Sequence, residues 1–109
     1  MFIALSVSIE IISALRPVVA RLKRVDKSLA DQIRRAASSV SLNLAEGAKR
    51  TGADQLHFYR VAAGSNAEVR AALAVGDAWG HLDGIDASPL RVLLDREAAL
   101  LHRLARPRV

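Results

Sequence analysis

Four times along this chain, apolar residues recur at steps of three and four positions, and short turn-forming joints separate the four runs. That spacing lines one stripe of an α-helix, whereas a half-buried strand would alternate at every second residue. Ile11, Ile12, Leu15, Val18, Val19, Leu22 and Val25 predict a first helix from about Val7 to Arg24. Leu29, Ile33, Ala36, Ala37, Val40 and Leu44 predict a second, ending near Ala48. Leu56, Phe58, Tyr59, Val61, Ala62, Val69, Ala72, Leu73 and Val75 supply a third, from about Ala53 to Ala78. Leu90, Leu93, Leu94, Leu100, Leu101 and Leu104 supply a fourth, from Ser88 to about Leu104. Short joints make successive helices antiparallel neighbours, so the expected fold class is all-α, an up-down-up-down antiparallel four-helix bundle.

The residues between the runs fit that frame. Asp26 or Ser28 can cap the second helix, and Gly47 stands where a glycine commonly closes one. Lys49-Arg50-Thr51-Gly52 is a tight joint. Gly76 and Gly80 loosen the end of the third helix, where Trp79 is expected to plug the bundle. Ser88-Pro89 reads as a helix start, Ser as N-cap and Pro at the first helical position. Pro17 is the exception, because an interior proline removes a hydrogen bond. Either the first helix kinks there, which is the favoured reading, or it begins near Leu15 and the residues before it form an arm.

A chain of 109 residues is one domain, residues 1–109, large enough to bury roughly two-thirds of its unfolded surface. Apolar residues make up 51% of it and aromatics 4%, which favours close-packed helices over a β-sandwich. The absence of cysteine excludes a disulfide framework and a thiolate metal site, and a reducing cytoplasm is the default compartment. Residues 2–9 resemble the apolar part of a signal peptide, but no base precedes them and Glu10 follows at once. That stretch is also short for a bilayer span, so no membrane partner is expected.

Within the second helix, Ser39, Asn43, Glu46 and Arg50 share one stripe. A polar stripe beside an apolar one is solvated, satisfied inside the bundle, or satisfied by a partner chain. A structural network is the simplest reading, with Glu46 and Arg50 an ordinary helical ion pair. If the tight joint is centred near residues 50–51, Ala36-Ala37-Ser38-Ser39 faces Ala62-Ala63-Gly64-Ser65. Small residues on both helices then permit a close approach, and Gly64 is tolerated for that reason. The same register predicts a buried or half-buried pair of Glu68 with Arg34 or Arg35.

No constellation for catalysis is present, so an enzyme is not expected. Gly47 to Gly52 has the glycine spacing of a phosphate-binding loop, but Ala53-Asp54 stands where Lys and Ser or Thr are required. His57, His81 and His102 lack ligand spacing, no serine sits in a nucleophile elbow, and no calcium loop exists. No cofactor is implied. Charge is the remaining signal: +5 overall, with residues 51–84 carrying two bases against four acids while the rest is basic. The candidate phosphate-binding residues are Arg21, Lys23, Arg24, Lys27, Arg34, Arg35, Lys49 and Arg50, with Arg103, Arg106 and Arg108 in a basic tail. A solvated face serving solubility explains them equally well.

Gln32-Ile33-Arg34-Arg35-Ala36-Ala37-Ser38-Ser39-Val40-Ser41-Leu42-Asn43-Leu44-Ala45-Glu46-Gly47, followed by Arg50, resembles the signature of the bacterial four-helix bundle proteins named for open reading frames in intervening sequences of 23S ribosomal RNA genes. Phe58-Tyr59-Arg60-Val61-Ala62-Ala63-Gly64-Ser65-Asn66-Ala67-Glu68-Val69 is similar to the family's third-helix motif. The resemblance implies a ring-shaped homopentamer. It also implies kinship with the accessory proteins of diversity-generating retroelements, basic bundles that associate with a reverse transcriptase and nucleic acid. RNA or DNA and a reverse transcriptase are the partners it suggests. It supplies no reaction, and this chain departs from the family in its apolar N-terminus.

Overall fold

A computed structural model describes residues 2–107. Four helices occupy it: α1 (Ile3–Val25), α2 (Lys27–Gly47), α3 (Gly52–Ala78) and α4 (Ser88–Leu104). Each helix packs on the next and α4 closes back onto α1, and among the described residues no diagonal pair brings its backbones within 8 Å between Cα atoms. The bundle measures 45 × 23 × 23 Å, its long axis set by the 27-residue α3.

α1 begins earlier than its strongest periodicity suggests, and the described residues form no separate arm. Residues 3–10 are helical because Ala4, Val7 and Ser8 extend the buried stripe by two further turns. The helix runs unbroken through Pro17. At 23 residues it is long and apolar enough to cross a membrane by length and composition, but seven of its residues are buried in the bundle. Asp26 alone separates it from α2. Its carboxylate accepts from the Leu29 backbone N–H at 3.1 Å, which identifies Asp26 as the cap, and its second oxygen lies 3.4 Å from His81 Nε2.

The α2–α3 joint is tied by a side chain that nothing in the sequence pattern singles out. Gln55 Nε2 donates to the carbonyls of Gly47 at 3.0 Å and Arg50 at 2.8 Å, tying the end of α2 and the joint to the first turn of α3. Gly52 adopts φ +59°, a turn conformation that suits glycine. At the other end, residues 79–87 fold over the bundle with Leu82 buried, and Arg21 Nη2 donates to the Asp83 carbonyl at 3.2 Å. Trp79 does not plug this end. It is 72% exposed and stacks on His81, while Leu82 takes the buried place. Ser88 is not the cap of α4 either. The Asp86 carboxylate accepts from the Ser88 N–H at 3.0 Å, and that bond holds the Asp86 carboxyl below its usual range.

The core falls into two apolar clusters. The larger runs from Val7 and Leu94 to Leu22 and Leu82, and the smaller comprises Ala4, Val40, Leu44, Tyr59, Ala62 and Leu101. Three residues expected in the core lie outside it, since Val25 is exposed at the end of α1 and Val61 and Val75 are exposed on α3.

Candidate nucleic-acid interface

Arg16 and Lys23 stand two turns apart on α1, hence about 10 Å along one face. Together with Arg34 of α2 they line a groove of about 890 Å³ between the two helices. Its floor is apolar, with Ile12, Leu15, Val19, Ala20 and Ala37, and Ser13 and Ser38 add hydroxyls. Pro17 also lines the groove and has no N–H to offer the Ser13 carbonyl one turn earlier. No carboxylate lines it, and none of the three cations has a salt bridge among the described residues. Lys27 is exposed on the same face of α2 as Arg34, two turns earlier, and Arg24 is exposed close by.

The other expected phosphate ligands are dispersed. Arg35 lines a neighbouring depression of about 620 Å³ together with Arg34 and Asp31, so Arg34 and Ser38 border both hollows. Arg21 is engaged with the Asp83 carbonyl. Arg50 is held by Glu46 at 3.0 Å and Asp54 at 2.9 Å, and its guanidinium carbon lies 5.2 Å from the Phe58 ring centroid. The hydrogen bonds to Glu46 and then Asp54 raise its pKa, and the trio is net negative. Lys49 is exposed beside it. Arg103 and Arg106 line a separate cavity of about 490 Å³ at the far end of the bundle, with Gly52, Leu56 and Tyr59. Arg108 lies outside the described residues. Sequence reasoning missed Arg16 as a groove residue. Its two-turn spacing from Lys23 was the available signal.

The polar stripe of α2 is wired in part as expected. Ser39 Oγ and Ser65 Oγ share a hydrogen bond of 2.8 Å across the α2–α3 contact. Asn43 Nδ2 donates to the Ser39 carbonyl at 2.8 Å and to Ser39 Oγ at 3.0 Å. Glu46 stands apart from this network, paired with Arg50. Glu68 is exposed and has no salt bridge among the described residues, so the predicted pair with Arg34 or Arg35 is absent. The actual register opposes Ser39 to Ser65, about one turn away from the sequence expectation. Gly64 is exposed with open space around it, so a close approach does not explain it.

One buried acid escaped sequence reasoning entirely. Glu97 of α4 is 0% exposed, and neither carboxylate oxygen has a hydrogen-bond partner. Burial pushes its pKa up to about 7, against a smaller opposing effect of Arg96. Ser8, Asn66 and Glu97 are the buried polar residues among those described. Nothing in the local pattern marks Glu97, since a glutamate between arginine and alanines reads as a solvent-facing residue. Its only signal was position: it falls on the apolar stripe, one turn from both Leu94 and Leu101.

Among the described residues no group of three or more His, Cys, Asp or Glu side chains could hold a metal. A profile of the family described as 23S rRNA-intervening sequence protein matches residues 4–103. The searches of curated proteins and of solved structures each returned no match.

Proposed function

This chain belongs to the 23S rRNA-intervening sequence protein family, and we propose that it is a non-enzymatic oligomeric protein that holds nucleic-acid phosphates on its α1–α2 face. The observation that carries this reading is the convergence of Arg16, Lys23 and Arg34 on one groove that contains no carboxylate. Unpaired cations on a rigid frame are what phosphate contact requires, and they carry no base preference. The described aromatics include no platform in this groove, so stacking on single strands is not part of the proposal. A homo-oligomer would multiply the net charge of +5 and strengthen the field. A narrower form makes a reverse transcriptase the protein partner. It rests on the kinship with the accessory proteins of diversity-generating retroelements that the family resemblance of the second- and third-helix motifs implies.

The test is fluorescence anisotropy with a structured RNA and a duplex DNA at about 50 and 200 mM salt. Binding should be detectable at the lower salt and fall steeply at the higher. A variant carrying Arg16→Ser, Lys23→Ser and Arg34→Ser should lose most of it. Equal binding by that variant, or none by the parent at low salt, overturns the proposal.

The apolar floor of the same groove favours a second reading, a protein-interaction module that takes an acidic amphipathic helix. On that reading Ile12→Ser and Val19→Ser should weaken binding to the partner peptide and leave nucleic acid untouched.

A further inference from the structure

The three buried polar residues sit at one level of the bundle. On α1, Ser8 follows Val7 of the larger cluster and lies one turn from Ala4 of the smaller. On α3, Asn66 stands between Ala62 of the smaller cluster and Val69 of the larger. On α4, Glu97 stands between Leu94 of the larger and Leu101 of the smaller. α2 crosses from one cluster to the other between Ala37 and Val40, and there Ser39 bonds Ser65 while Ser41 bonds Ser8 at 2.8 Å. Every helix therefore changes cluster at a polar residue, and the hydroxyls and amide in this layer have partners. Ser8 also bonds the Leu5 carbonyl at 2.7 Å, and Asn66 donates to the Leu94 carbonyl at 3.4 Å. The Glu97 carboxyl has none.

We infer that Glu97 divides the bundle into two segments, and that the segment built on the smaller cluster opens when Glu97 gives up its proton. A neutral carboxyl can be held in this layer at modest cost, but an unpaired carboxylate cannot, because no donor faces it and water is excluded. The smaller cluster is the one that yields, having six buried residues against sixteen. The elements packed on α4 offer the ion no compensation. At this level α1 presents Ser8 and α3 presents Asn66, neither of which ionises, and their nearest charged residues, Glu10, Glu68 and Arg70, are exposed. Tyr59 is the titratable group of the smaller cluster itself. On α4, Asp95 and Arg96 are exposed, Asp95 is paired with Arg70 of α3, and the pull of Arg96 on the carboxyl is smaller than the effect of burial. The segment that opens carries Leu101 and adjoins the Arg103 and Arg106 cavity, so the device bears on the second basic site.

The sign follows from where the proton is held. The folded state keeps it to about pH 7, whereas the opened state releases it near 4.5. Between those values the folded state binds more protons, so stability falls as pH rises through the window and levels off above it. Opening of the smaller segment should rise roughly tenfold between pH 6 and pH 8.

Amide hydrogen exchange read by mass spectrometry, corrected for the intrinsic effect of pH, tests this on the full chain. The parent should exchange faster at pH 8 than at pH 6 in residues 4–8, 40–44 and 97–104, with residues 11–37 and 69–73 changing less. Glu97→Gln and Glu97→Met should each abolish that dependence, the second keeping a similar volume with no ionisable group. A parent without pH dependence, an increase spread evenly over both clusters, or a dependence that survives in both variants overturns the inference.

Discussion

A β-carbon on Gly47 would sit 2.7 Å from Cε1 and 2.9 Å from Cδ1 of Tyr59, and 3.1 Å from Cβ of Phe58. Gly47 is buried and its φ is negative, so its value lies in what it lacks: without a side chain, the end of α2 can rest against the Tyr59 ring. Gly64 is the opposite case, exposed in mid-helix with nothing within 4 Å of where a methyl group would sit. The two glycines therefore respond to one substitution with opposite sign. Gly47→Ala gains helix propensity but overpacks Tyr59 and should cost about 1–3 kcal/mol. Gly64→Ala meets no obstacle and should stabilise by up to about 1 kcal/mol. Denaturant unfolding of both variants checks the pair, and a destabilised Gly64→Ala would restore the close-approach reading that the sequence suggests.

At the scale of elements, the Ser39–Ser65 bond fixes how α2 lies on α3. Ser65→Ala leaves Ser39 with Asn43 as its remaining partner and should cost about 1 kcal/mol. Glu68→Ala, at an exposed position without a salt bridge, should stay within about 0.5 kcal/mol of the parent. Thermal melts of the two variants decide between the observed register and the one that buries Glu68. Helix number, order and direction were legible because apolar spacing is a local property, and every residue expected on the buried stripe of α2 is buried. Register was not, because it depends on the joint. Gly52 at positive φ and the two bonds from Gln55 place the turn a little later than the charged residues of the joint suggest. The exposed position of Trp79 was hidden for a related reason. Residues 79–87 fold back under ties from Arg21 and Asp26, which lie far off in sequence.

Taken as a whole molecule, the chain gathers some of its bases in two places and disperses the rest. Arg16, Lys23 and Arg34 converge on the α1–α2 groove, while Arg103 and Arg106 lie at the opposite end. Which bases exist was legible in the sequence. Which remain available was legible only for Arg50, whose pairing with Glu46 the helical spacing predicts, while its second partner Asp54 and the Asp83 carbonyl that holds Arg21 were not foreseen. That distinction yields a quantitative test of the proposed interface. Each phosphate contact releases counterions, so its loss lowers the slope of log affinity against log salt by about 0.9 on a duplex. Arg34→Ala and Lys23→Ala should each lower the slope by about that amount and weaken binding alike across sequences, because phosphates are being read. Arg50→Ala should leave the slope where it was, since its guanidinium is already neutralised by two carboxylates. Salt titrations of the three single variants on one duplex measure this directly. Equal slopes for Arg34→Ala and Arg50→Ala would mean that net charge attracts the nucleic acid and that the groove does not hold it.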